Sequence, residues 1–174
     1  FLAAHFGGFR DQMPSPLILD RSIHHFDLAR FLTGADPLKV YAKEFNPKGS
    51  WYQGDVAASC IFEMTNGVVF NYRGSWCAEG CHTDWNGDWR VCGEQGTLLY
   101  QGGADPRGQR VVGGEGFHRD LAPIDVPAVD KVYFEFHGAL REMLDYLRTG
   151  QAPQTECHDN IQSLAMVFAA IESS

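Results

Sequence analysis

Three side chains that can hold or move a proton stand at helical spacing near the start of this chain. Asp20, His24 and Asp27 lie in the segment LILDRSIHHFDLARFLTG, and residues three and four apart meet on a helix surface. A neighbouring carboxylate fixes the tautomer of an imidazole and raises its basicity, and the imidazole has the unperturbed pKa nearest to neutrality. The pattern therefore predicts proton-transfer chemistry on one helix face.

Two other interpretations of this triplet remain open. A buried histidine beside an aspartate is often a structural pair, because polar groups that enter a core need partners. The triplet could also offer oxygen, nitrogen and oxygen ligands to a metal ion, although such sites usually take a further ligand from another element. His25 follows His24, but the step of about 100° between adjacent helical residues leaves only His24 on the face of Asp20.

The helix that carries the triplet is predicted from Pro16 to Thr33. Ser15 is a candidate cap before a first-turn proline, and Gly34 supplies the stop. An apolar stripe runs beside the polar one. The triplet should therefore lie at the edge of a core.

Short segments rich in β-branched and aromatic residues follow, separated by Gly, Asn, Asp and Pro. They are Leu38 to Phe45, Val56 to Met64, Val68 to Trp76, Trp89 to Cys92, Thr97 to Tyr100 and Gln109 to Val112. Thr65-Asn66-Gly67 is the best hairpin signal, and apolar residues alternate along the segment that precedes it. The pattern predicts an α+β fold with an open, predominantly antiparallel β-sheet and helices packed on one face.

The opposite face of this sheet would expose several aromatic and apolar groups that a monomer cannot easily leave in water. We expect another copy of the chain to cover it, which makes the protein a homo-oligomer. The alternative is that the glycine-rich segment from Gly102 to Gly116 folds over this face.

Two helices are predicted at the end of the chain. They run from Val129 to Thr149 and from Glu156 to Ser173, the second behind the cap candidate Thr155. Both carry apolar stripes, which is typical of packing elements. Three of their polar residues are interpreted as solvent-facing or capping groups and not as ligands: His137, Glu142 and His158.

The composition is that of a folded protein with room for a substantial core, since the 174 residues are 44% hydrophobic and 21% charged. The net charge of -8 repels nucleic acid phosphates and anionic membrane surfaces, so we expect neither as a partner. No apolar run reaches the ~18 residues of a membrane span, and FLAAHFGGFR lacks the features of a signal peptide. The opening Phe1 to Phe9 is typical of a strand entered partway, which indicates a piece of a longer protein.

Five cysteines are an odd number in a chain too large to need disulfide staples. This count favours a reducing cytosol and predicts a cytoplasmic protein. Cys77, Cys81, His82 and Cys92 lie close in sequence, but no second close cysteine pair completes a tetrahedral set of zinc ligands. We therefore expect no metal site there.

The order of several motifs resembles that of one known family. After the first helix come Asp36-Pro37, Asn66-Gly67, Gly74-Ser75-Trp76, Gly93-Glu94-Gln95-Gly96-Thr97, Pro153-Gln154-Thr155, Asp159-Asn160-Ile161 and Ala170-Ile171-Glu172-Ser173. In this order they look like the C-terminal domain of the Gfo/Idh/MocA oxidoreductases, the family of glucose–fructose oxidoreductase and inositol dehydrogenase. The resemblance covers nearly the whole chain and implies a glyceraldehyde-3-phosphate dehydrogenase-like C-terminal domain.

The resemblance also implies an activity. In such enzymes a Rossmann domain binds NAD or NADP, and this domain completes the pocket for a sugar, polyol or related CH–OH substrate. Asp20 and His24 match the family's catalytic residues: His24 would take the proton from the reacting hydroxyl while hydride leaves the same carbon, and Asp20 would orient substrate or imidazole. Further candidates for substrate binding are His5, Arg10 and Trp76, for which ordinary strand or sheet packing is the alternative.

The cofactor-binding half of such an enzyme is missing from this sequence. A Gly-x-Gly-x-x-Gly fingerprint between a strand and a helix is absent, and the nearest segment, Gly114-Glu115-Gly116-Phe117-His118-Arg119, has arginine at the third glycine. The family's Glu-Lys-Pro lysine is absent too. We expect residues 1–174 to be the substrate-binding and oligomerisation domain, inactive alone.

Two other functions remain open. One is NAD-dependent glycoside hydrolysis, in which a transient oxidation acidifies a neighbouring carbon and the cofactor is regenerated. The other is a non-catalytic binding or dimerisation module that uses its aromatic sheet face.

Overall fold

The computed structural model of this chain describes residues 9–127 and 136–174. The predicted opening strand, Phe1 to Phe9, lies outside the described residues except for Phe9. The start of the helix predicted from Val129 also lies outside them. Within them the helices are α1 (Ile23–Thr33), α2 (Phe136–Thr149) and α3 (Cys157–Ser173), and the strands are β1 (Pro37–Phe45), β2 (Ala57–Met64), β3 (Val69–Ser75), β4 (Trp89–Gly93), β5 (Gly96–Tyr100), β6 (Arg107–Gly113) and β7 (Asp120–Ile124). The chain divides into two compact units, Phe1–Glu79 with Arg148–Ser174, and Gly80–Leu147. The predicted α+β class is confirmed, with the strands divided between two antiparallel sheets.

The first unit is built on the three-stranded sheet β1–β2–β3. The alternation predicted along β2 is confirmed, because every second residue from Ala58 to Met64 is buried and those between are exposed. Cys60 lies opposite Ala42 of β1 and Tyr72 of β3, so the buried positions align across the sheet. The predicted hairpin is also confirmed: Gly67 has a φ of +84°, in the left-handed region that favours glycine.

The helix predicted from Pro16 to Thr33 forms in two parts. It is π-type over Leu17–Ser22 and continues as α1. Its end at Gly34 is confirmed, with a φ of +61°. The predicted cap is wrong, because the Ser15 hydroxyl donates to the buried carboxyl of Glu44 at 3.0 Å and caps nothing.

The closing helix α3 packs against β1 and α1. Its buried face consists of Ser163, Met166, Val167 and Ala170. The cap at Thr155 is wrong, because Glu156 is the N-cap and its carboxylate accepts from the His158 backbone N–H at 3.0 Å. A carboxylate suits this position since it also meets the positive end of the helix dipole. In the described part of the chain, no helix combines the length and the apolar character needed to cross a bilayer.

The second unit contains the four-stranded sheet β4–β5–β6–β7 and α2 as far as Leu147. The strand β7 was not predicted, because its sequence DLAPI carries a proline and little alternation. Its hydrogen-bonded pairing with β6, and not its local sequence pattern, makes it a strand. The predicted packing of the apolar stripe of α2 is not seen within residues 9–127 and 136–174. Phe136, Leu140 and Leu147 are 82%, 62% and 69% exposed.

Glu44 is a buried carboxyl on the inner face of β1, with 4% of its surface exposed. Its Oε2 accepts the hydrogen bond from Ser15, and its Oε1 has no hydrogen-bond partner among the described residues. Burial disfavours the charged form and raises the pKa of this carboxyl above its ordinary value. Glu44 therefore binds a proton more readily in the folded chain than in the unfolded one.

This pKa predicts how stability depends on pH. Because the pKa is raised on folding, protonated Glu44 stabilises the fold at low pH, and that contribution is lost as the pH rises through the raised pKa. We expect Glu44→Gln, which stays neutral, to flatten the pH dependence of the unfolding free energy and to raise stability at neutral pH. Urea titrations at several pH values would measure both effects.

The matched control is Glu63→Gln on the opposite face of the same sheet, where the side chain is 55% exposed. It should leave the pH profile of stability unchanged. Parallel profiles for the wild type and Glu44→Gln would contradict the role given to Glu44.

Candidate active site

Asp20 is held in an ion pair with Arg10. The Nε of Arg10 lies 2.9 Å from Oδ2 of Asp20, and its second terminal nitrogen lies 3.0 Å from Oδ1, the two-pronged geometry by which a guanidinium matches a carboxylate. Arg10 also stacks over the ring of Phe9, 4.7 Å from the centroid. The hydrogen bond to Asp20 raises the pKa of Arg10. The pair places a fixed carboxylate at the start of the helix.

Asp20 lies in the π-type turn and His24 in the first turn of α1 that follows it. Residues three and four apart meet on a helix surface, so the spacing allows a contact between the two side chains. Among the described residues the Asp20 carboxylate bonds to Arg10, and no hydrogen bond joins it to His24. The carboxylate–imidazole hydrogen bond expected from the spacing is therefore not formed in this structure. The two side chains lie on successive turns of one helix.

His24 is exposed and lines an open groove of about 650 Å³ in the first unit. The wall of the groove combines three kinds of group: carboxylates, hydroxyl or amide groups, and apolar side chains such as Phe31. His25, in contrast, is half-buried with its ring 5.6 Å from that of Tyr72. Of the two adjacent histidines, His24 is the one that faces the groove. Hydroxyl groups of a ligand could therefore be bound beside an imidazole.

A buried arginine organises the carboxylates of the groove. Arg30 is 8% exposed and donates to Asp36 at 2.7 Å, Asp159 at 3.1 Å and Ser163 at 3.0 Å. Asp27 lies 3.8 Å from the same guanidinium and accepts from Ser163 at 2.6 Å. We call these five residues the Arg30 cluster. Burial lowers the pKa of Arg30, but its hydrogen bonds to Asp159 and Asp36 outweigh this and the net pKa is raised. Three carboxylates on one cation leave the groove with local negative charge.

The three predicted substrate-binding residues are placed differently. Arg10 lies at Asp20 and forms the ion pair described above. Trp76 is half-buried, packs against the core, and donates its backbone N–H to the Val56 carbonyl at 3.1 Å. His5 lies outside the described residues.

The sequence reasoning missed two aromatic residues that form a row with Trp76, namely Trp51 and Tyr52. The Tyr52 ring lies 3.8 Å from that of Trp51 and 6.2 Å from that of Trp76, centroid to centroid. The sequence signal that could have found them is a pair of adjacent aromatic residues in a loop between Gly49 and Gly54, since binding residues often lie on loops.

Glu156, Cys157 and His158 bring three potential metal-ligand atoms within 4.8 Å of one another. These atoms already bond to each other, with the Nδ1 of His158 2.5 Å from Oε1 of Glu156 and the Cys157 thiol 3.2 Å from the same oxygen. The bond to His158 lowers the pKa of Glu156. Because the positive end of the α3 dipole also opposes a cation here, we interpret this group as a helix cap.

The nearest match to a dinucleotide fingerprint does not fit a nicotinamide cofactor. Gly114-Glu115-Gly116 connects β6 to β7, which are antiparallel neighbours. A fingerprint needs a helix after its strand, because the helix N-terminus binds the pyrophosphate. A Cβ at Gly114 would lie 3.0 Å from the backbone nitrogen of Asp120, so this glycine serves the tight connection between the strands.

The chain matches one protein family and a curated relative. The sequence profile of the GFO/IDH/MocA C-terminal domain matches residues 8–99 of the 174, more than half of the chain. The protein named Uncharacterized protein y4oX, from Sinorhizobium fredii (strain NBRC 101917 / NGR234), is 29% identical over 178 residues, covering 96% of this chain and 47% of the relative. The chain thus spans about half the length of the curated relative it matches.

Solved structures share the fold at low sequence identity. An oxidoreductase from Agrobacterium radiobacter, in complex with NAD+, L-tartaric acid and magnesium, has a TM-score of 0.75 at 21% identity, with 99% of this chain and 51% of that chain covered. The UDP-N-acetylglucosamine 3-dehydrogenase of Acidithiobacillus ferrooxidans has a TM-score of 0.69 at 16% identity, with 97% and 49% covered. In both cases the match is to about half of the larger chain.

Proposed function

The chain belongs to the GFO/IDH/MocA C-terminal domain family, as its motif order predicted, and on this premise we propose that it is the substrate-binding domain of an NAD(P)-dependent oxidoreductase. The substrate is a sugar, polyol or related compound with a CH–OH group. The matched relatives are about twice as long as this chain, which supports a nucleotide-binding domain outside it. That domain would hold NAD or NADP.

The observation that carries this proposal is the exposed imidazole of His24 in a groove lined by carboxylates and hydroxyls. Oxidation of a CH–OH carbon releases the hydroxyl proton as well as a hydride, and His24 would accept that proton. Asp20, which lies one turn before His24 and is held by Arg10, would orient the substrate. The negative charge of the Arg30 cluster favours a neutral polyol over an anionic compound.

The proposal is tested with the full-length protein that carries this chain. It should reduce NAD or NADP when given neutral sugars or polyols, as measured by the absorbance of the reduced nicotinamide, while residues 1–174 alone should not. Turnover by the isolated chain would contradict the need for a second domain. A full-length protein that reduces neither cofactor with any polyol would contradict the oxidoreductase assignment.

We also propose that a second copy of the chain covers the outer face of the β1–β3 sheet. Four apolar side chains on this face are exposed: Tyr41, Phe45, Ile61 and Val69. Tyr41 and Ile61 lie directly opposite each other on paired strands, and contiguous exposed apolar groups mark interaction surfaces. Sedimentation of the purified protein should give a dimer or larger species, and a monomer at micromolar concentration would count against this interface.

We also propose that the protein is located in the cytoplasm. All five cysteines are free thiols in the structure, which suits a reducing compartment. Burial raises the pKa of the Cys60 thiol to about 12, so this side chain stays protonated and unreactive. Cell fractionation would test the location.

A further inference from the structure

The loop between β1 and β2 is fixed against the segment that carries Arg10. The backbone N–H of Gln53 donates to the Asp11 carbonyl at 2.8 Å. A Cβ on Gly54 would lie 1.9 Å from the Met13 carbonyl oxygen, so glycine permits a close approach that any other residue would prevent. The neighbouring residues of the loop are therefore held beside Arg10 by main-chain contacts.

Three aromatic side chains form a row at this place, which we call the aromatic row: Trp51, Tyr52 and Trp76. Trp51 stacks on Tyr52 with an angle of 26° between the rings, and Tyr52 lies tilted by 33° to Trp76. Trp76 and Tyr52 are half-buried. Trp51 is 42% exposed, which leaves part of a large aromatic surface open at the end of the row.

The aromatic row is connected to the segment of Arg10 through the main-chain hydrogen bond from Gln53 to Asp11. Burial raises the pKa of Tyr52, and the charge of Arg10 opposes that shift while the charge of Asp20 adds to it, so the phenol lies within electrostatic range of both groups. The carboxylate and the guanidinium neutralise each other through two hydrogen bonds. A ligand on the row would meet the exposed aromatic surface of Trp51.

We propose that the aromatic row is a ring-binding subsite, and that it makes the protein prefer a hydroxylated ring over an open-chain polyol of the same carbon number. This inference rests on the proposed oxidoreductase function. One face of a cyclic polyol carries mainly C–H bonds and can stack on an aromatic surface, while hydroxyls at the ring edge remain free to bond polar groups. An open-chain polyol presents no such flat apolar face and also loses more conformational freedom on binding.

The test compares an aldopyranose with the alditol of the same carbon number as substrates of the full-length protein. Trp51→Ala should raise KM for the pyranose by about tenfold with kcat changed much less, because the interaction is equal in ground and transition states. The alditol kinetics should stay within about twofold of the wild type. Trp51→Phe keeps an aromatic surface and should restore most of the pyranose preference.

The matched control is Trp85→Ala, which removes a tryptophan that is 72% exposed in the second unit. It should change neither substrate's kinetics. An unchanged ratio of pyranose to alditol kcat/KM in Trp51→Ala, in a protein that turns over polyols, would overturn the subsite and leave the oxidoreductase function standing. A full-length protein that turns over neither substrate nor any other polyol would overturn both.

Discussion

Replacement of His24 by alanine is expected to lower the kcat/KM of the full-length protein for its polyol substrate by about 10²–10⁴-fold, the usual contribution of a general base. The imidazole is exposed in the groove, so its removal leaves the proton of the reacting hydroxyl without an acceptor. Most of the loss should appear in kcat, because the remaining wall of the groove still binds substrate. Steady-state kinetics with the preferred polyol would measure it.

The matched control for this prediction is the adjacent histidine. His25 is half-buried beside Tyr72, so His25→Ala should lower thermal stability while kcat/KM stays within about threefold of the wild type. Asp20→Asn is a second arm, since it removes the charge that holds Arg10 and should also reduce kcat/KM. Equal losses for the two histidine variants, or a His24 variant with nearly normal activity, would show that His24 is not the proton acceptor.

Replacement of Arg30 by alanine should lower the free energy of unfolding by about 3 kcal/mol, the lower end of what is lost when one partner of a buried ion pair is removed. The lower end applies because Asp36 and Asp159 keep 53% and 62% of their side-chain surface exposed, so water can compensate part of their charge. The variant leaves the hydroxyl of Ser163, which is fully buried, without its Arg30 donor. It also removes the hydrogen bonds from Arg30 on α1 to Asp159 and Ser163 on α3. Urea unfolding of the purified protein would measure the change.

Two further variants sharpen this prediction. Arg30→Lys keeps the charge but cannot reach the same acceptors with a single ammonium, so its stability should lie between those of the wild type and Arg30→Ala. Arg141→Ala removes an exposed arginine that pairs with Asp145 on α2, and exposed pairs of this kind contribute about 0.5 kcal/mol or less. An Arg30→Ala protein as stable as Arg141→Ala would contradict the structural importance of the cluster.

The local elements of this fold were predictable because short-range physics determines them. Gly34 ends its helix and Gly67 turns its hairpin through left-handed backbone angles that favour glycine. The alternation along β2 followed from the two-residue period of a strand with one buried face. The motif order was also sufficient to predict the family, since it needs only the sequence.

The partners of the site residues were not predictable, since long-range packing decides them. The helical spacing placed Asp20 beside His24, but Arg10, ten residues earlier in the chain, binds the carboxylate instead. The division of the strands into two sheets likewise depends on which edges pair.

Residue types and local spacing by themselves determined the family, the α+β class, the helix with its acid and imidazole, and the hairpin. The tertiary structure decided which histidine faces the groove, which cation holds Asp20, and which aromatic residues pack against one another. Arg30 illustrates the reason, because it bonds to Asp159 and Ser163, 129 and 133 residues later in the chain. Such contacts form only when distant segments pack together, and no periodicity in a single sequence encodes which of them will meet.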